Sequence, residues 1–181
     1  MTKITQIKKE VGLMEFTKEQ IESMVFHSIT YGPQNIQSAL DIIAERIKTS
    51  DKKFTIYIGT DSQSHSKTKV VSVIAIIEHG KGGFWFHTID WTTRFAKEQL
   101  RVKIYNETHR SIEIAKYVLE YMFEEEIDAN IMIHADLGRG KFSKTAEMIN
   151  EVVGWINAEG FPAEVKPMSW AASSVADRIS K

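Results

Sequence analysis

Phe54, Ile56 and Ile58 alternate with Thr55, Tyr57 and Gly59, which is the two-residue period of a β-strand, and the strand stops at a glycine and a carboxylate, Asp61. After the polar loop SQSHSKTK, the apolar run Val70 to Ile77 is too β-branched for a good helix and has the length of a buried strand. The GKGG at Gly80 to Gly83 turns the chain into a third strand, Phe84 to Trp91, which predicts an antiparallel meander. A long helical pattern follows from about Ala96 to Glu124, then a short strand from Asn130 to Ala135. Another helix from Ser143 to about Ala158 is ended by Gly160 and Pro162, ahead of a strand at Ala163 to Met168 and a short helix from about Trp170.

The order is βββαβαβα. A strand, a long helix and another strand make a crossover, so strands four and five run parallel to the first on its open side. The expected fold class is α/β, with a mixed five-stranded sheet in the order 3-2-1-4-5. Ahead of it, TKEQIESMVFHSI reads as a helix whose capping box is Thr17 and Gln20, ended by the YGP at Tyr31 to Pro33. A second helix from about Asn35 to Lys48 places Ile36, Leu40, Ile43 and Ile47 on one stripe. Residues 1–50 are therefore expected to form an N-terminal helical extension, and residues 51–181 the main domain.

Of the 181 residues 43% are hydrophobic, enough for a sizeable core, and none is cysteine, which excludes disulfides, thiolate metal sites and cysteine nucleophiles. A net charge of -1 and a pI near 6.6 argue against a general nucleic-acid coat but allow a local basic groove. No signal peptide or membrane-spanning stretch is evident, so the expectation is a cytoplasmic protein without a membrane partner.

The sheet order puts the C-terminal ends of strands one and four side by side, bringing Asp61 next to Asp136 of HADLG, where two carboxylates could share a cation. On the long helix, Glu107 falls on the stripe Leu100, Ile104, Ser111, Ala115, Val118, Met122 that should face the sheet. An ion pair with Lys103 or Arg110 explains Glu107 equally well when it is taken alone. Asp177, near a helix C-terminus where the macrodipole opposes it, follows small residues that let the helix lie close over the sheet; a solvated acid beside Arg178 is the alternative.

One acid on the first strand, one on the first helix, one on the fourth strand and one on a late helix resembles the ribonuclease H-like superfamily, with Asp61, Glu107, Asp136 and Asp177 matching those places in order. The segments GTDSQ, NETHRS and HADLG with a terminal ADR look like the YkuK-type branch of ribonuclease H-related proteins, over roughly residue 54 to the end. One departure is that Glu107 lies well inside its helix rather than near the start. The resemblance implies a nuclease fold in which the four acids are metal ligands as well as catalytic groups. Such a quartet would hold two divalent ions, and its all-oxygen donors suit Mg²⁺ or Mn²⁺.

His134, two residues before Asp136, and His65 in the first loop are candidates for proton transfer or phosphate contact. Arg94, Lys97, Arg101, Lys103 and Arg110, with Arg139, Lys141 and Lys144, are the basic residues flanking the acids and are candidates for binding phosphates of nucleic acid. GRGKFSKT follows a strand but lacks P-loop spacing. The leading expectation is a metal-dependent nuclease acting on RNA, an RNA/DNA hybrid or structured DNA. The alternative is a nucleic-acid-binding or scaffolding module without turnover; a phosphotransferase related to sugar kinases ranks last, because one core lacks a two-lobed nucleotide cleft. The exposed edge of the third strand leaves a homodimer open.

Overall fold

Thr17 opens the first described helix: its side chain accepts from the Gln20 amide while the Gln20 side chain returns a bond to the Thr17 amide. The computed structural model describes residues 12–64, 67–92, 100–138, 148–171 and 175. This helix, α1, spans only Lys18–Glu22. The chain then forms a hairpin, β1 Val25–Ser28 and β2 Gly32–Asn35, before α2 Ile36–Lys48, which is capped by the Asn35 side chain on the Ser38 amide at 2.7 Å. The N-terminal segment is thus not purely helical: VFHS, expected as the end of a helix, is a strand.

The meander consists of β3 Phe54–Ser64, β4 Thr68–Glu78 and β5 Gly82–Thr92, with unbroken antiparallel register from Phe54↔Glu78 to Ser64↔Thr68 and from Thr68↔Thr92 to Glu78↔Gly82. Its second turn requires glycine: Gly80 and Gly82 have φ of 84° and 105°, and a Cβ on Gly83 would lie 2.2 Å from the Ile76 carbonyl oxygen. Helix α3 Leu100–Glu124 crosses to β6 Ile131–Ala135, which pairs parallel to β3 from Ile56↔Ile131 to Gly59↔His134. Helix α4 Ile149–Ala158 then crosses to β7 Ala163–Val165, parallel to β6.

The sheet order is β2-β1-β5-β4-β3-β6-β7. Its last five strands carry the expected 3-2-1-4-5 arrangement, and the hairpin adds two more on the β5 edge through a single pair, His27↔His87. One face, with Ile56, Ile58, Ile74, Ile76, Phe86 and Ile133, packs against α2, α3 and α4 in the main core, to which Phe26 of the hairpin also belongs. The other face buries Val71, Val73 and Ala75 under Tyr57, Trp85, Trp170 and Val175. Full burial of an Ile or Phe contributes about 1.5–3 kcal/mol, so the main core outweighs the smaller cluster. Among the described residues no helix is long and apolar enough to cross a membrane.

Candidate active site

Asp61 lies on β3 just beyond its last pair with β6, and Asp136 is the first residue after β6. Continuing the Gly59↔His134 register by two residues would set the two acids opposite each other. The third acid arrives from α3, which approaches β3 through small polar contacts: Ser111 Oγ donates to Thr60 Oγ1 at 3.0 Å, and one turn earlier Ser62 Oγ donates to Glu107 Oε1 at 2.7 Å. Glu107 is the eighth residue of the Leu100–Glu124 helix.

These three carboxylates line one cleft of about 300 Å³ together with Leu100, Lys103 and Lys166. Lys103 Nζ lies 3.9 Å from Asp61 Oδ1 and 3.6 Å from Glu107 Oε1, so the i,i+4 ion pair is formed, but the same ammonium also faces a second acid. Lys166 Nζ is 2.7 Å from Asp136 Oδ1. At that distance the charges attract even though the carboxylate oxygen accepts no well-aligned hydrogen bond. The pKa of Glu107 is pushed up to about 8 by burial, which outweighs the lowering by Lys103 and the Ser62 hydroxyl, while Asp61 and Asp136 add repulsion.

The site thus gathers three carboxyl groups beside two lysines, with burial favouring the protonated form of Glu107 at neutral pH. The hard oxygen donors of these carboxyl groups suit a divalent cation such as Mg²⁺ or Mn²⁺ in donor type, and Lys103 lies between two of them. Among the described residues, no group of three or more His, Asp or Glu side chains is drawn together closely enough to hold a metal. Asp177 lies outside the described residues, as do His65, Arg94, Lys97, Arg139, Lys141 and Lys144.

His134 sits behind the acids, 1% exposed. Its Nδ1 accepts the Ala171 amide at 3.0 Å, which puts the ring proton on Nε2, 3.0 Å from Glu164 Oε2. Tyr57 and Trp170 pack on the ring. The sequence suggests proton transfer or phosphate contact for this histidine; in the fold both of its ring nitrogens are engaged, linking β6 to Glu164 of β7 and to the Ala171 amide. Arg110, expected at phosphate, is engaged within the fold. Its guanidinium pairs with Asp90, donates to Ser72 Oγ at 2.8 Å and lies under the Phe16 ring at 4.4 Å. Arg101 is turned to α4, bonded to both oxygens of Glu151 at 2.9 Å and stacked over Tyr105. Sequence reasoning passed over Ser62 and Lys166: Ser62 lies within GTDSQ, one residue after Asp61, and Lys166 directly follows the last strand.

The family model described as ribonuclease H-like matches residues 37–181. The chain is also similar to a protein of Bacillus subtilis (strain 168) named "Uncharacterized protein YkuK", 27% identical over 176 residues, covering 88% of this chain and 99% of the relative. No solved structure gives a significant match.

Proposed function

The chain belongs to the ribonuclease H-like family, and from that premise we propose that it is a metal-dependent nuclease hydrolysing phosphodiester bonds of RNA, an RNA/DNA hybrid or structured DNA. The observation that carries this reading is the convergence of Asp61, Glu107 and Asp136 from a strand, a helix and a strand end on one cleft. Asp61, Glu107 and Asp136 would hold Mg²⁺ or Mn²⁺, with Asp177 as the fourth acid expected from sequence. When bound, such ions lower the pKa of water and offset charge on the phosphate. Ser62 holds the Glu107 carboxylate by its hydroxyl, so that this acid keeps one orientation. Lys103 and Lys166 reach the acids from the cleft wall, from where their ammonium groups would meet non-bridging phosphate oxygens of a bound strand.

The test is cleavage of labelled oligonucleotides in Mg²⁺ or Mn²⁺. Asp61→Asn should lower the rate by about 10²-fold or more, and equal activity in wild type and variant would sink the assignment. A specific observation favours a second reading, a binding module without turnover: both lysines already compensate the acids. That reading expects salt-sensitive oligonucleotide binding with no cleavage by either protein.

A further inference from the structure

A second, larger cleft of about 480 Å³ opens beside the acids. It lies beside the single β1–β5 pair, His27↔His87, among residues of β1 and of the end of β5 toward Thr92. Ser62 and Glu107 form its inner end, and Ile89 and Trp91 its outer end. Glu107 lines both compartments, so the two clefts adjoin at this side chain. Met14, Phe16 and His27 supply the facing wall, and they precede residue 37, where the family match begins.

The lining decides the chemistry of the occupant. Trp91 is 63% exposed, and Met14, Val25 and Ile89 are exposed large hydrophobics around the same opening. The lysine-free wall holds one arginine, Arg110, and that guanidinium is paired to Asp90. Such a wall disfavours a phosphate and favours a flat, neutral, partly apolar group, and the volume is in the range of small-ligand sites. We propose that this cleft takes one unpaired base of a nucleic-acid strand, stacked on Trp91, next to the nucleotide whose phosphodiester lies at Asp61, Glu107 and Asp136. This rests on the nuclease reading for the position of the phosphodiester. A base held there must be unstacked from its own strand, so the substrate class is single-stranded or locally opened nucleic acid.

The experiment measures binding of fluorescein-labelled oligonucleotides by anisotropy in an Asp61→Asn background, alongside cleavage by the protein with Asp61 intact. Trp91→Ala should weaken binding of a single strand about tenfold, and Trp91→Phe should recover most of it. A single abasic residue scanned along the strand should weaken binding at one position in the parent and have no effect there in Trp91→Ala. Equal affinity of Trp91→Ala and parent would overturn the proposal, as would an equal loss on a fully abasic strand or capture of an apolar peptide with oligonucleotide binding unchanged. If Trp91-dependent binding is found without cleavage, the nuclease reading falls and the base cleft stands; if cleavage is found with Trp91→Ala binding like the parent, the reverse holds.

Discussion

At the scale of single residues, the histidine behind the acids makes the firmest forecast. Nδ1 of His134 already accepts an amide proton, so the ring can gain a second proton only by breaking that bond in a place water does not reach. Burial holds its pKa down to about 4, against 6.5 for an ordinary histidine. The unfolded chain takes up a proton as pH falls through 6.5 and the folded one does not until about 4. The contribution of the neutral ring is therefore complete above pH 6.5 and lost as pH falls to about 4, a change of roughly 3 kcal/mol. Urea unfolding at pH 7.5, 5.5 and 4.5 should show this slope in wild type and a flatter one in His134→Phe. Asp61, Asp136 and Glu107 could be found in the sequence because a strand period or a helical stripe carries each of them. The role of Arg110 could not, since its partners Asp90 and Ser72 come from β5 and β4 and helix spacing sees only helix neighbours.

At the scale of elements, what could be read ahead of the structure was what local pattern determines. The Thr17 box, the α2 stripe and all five core strands follow from periods and caps within a few residues. The β1–β2 hairpin does not: four residues are too few to display alternation, Pro33 lies within its second strand, and its partner β5 is distant in sequence. Its stability comes from placing Phe26 in the main core and covering the β5 edge. Phe26→Ala should cost about 3 kcal/mol in urea unfolding. It should also make light scattering depend on protein concentration, because a loosened hairpin uncovers that edge; an unchanged midpoint would mean that the hairpin is dispensable.

At the scale of the whole molecule, a site whose acids repel one another is a place where the fold gains from a cation. On the nuclease reading, saturating Mg²⁺ should raise the thermal midpoint by about 5–10 °C over protein in chelator. The increment should vanish in Asp61→Asn; a shift of the same size in both proteins would place the cation elsewhere. The mixed sheet also has a kinetic consequence. The β3–β4–β5 meander pairs near neighbours, whereas Ile56 meets Ile131 only after the whole of α3 has been threaded between them. Loop-closure entropy delays contacts of that kind, so the meander should form early and the parallel pairing late. Asp61 sits on the early part and Asp136 on the late part. A chain stalled before the crossover docks would have a sound half-sheet and no assembled acid cluster, so on the nuclease reading recovery of cleavage on refolding should lag behind recovery of secondary structure.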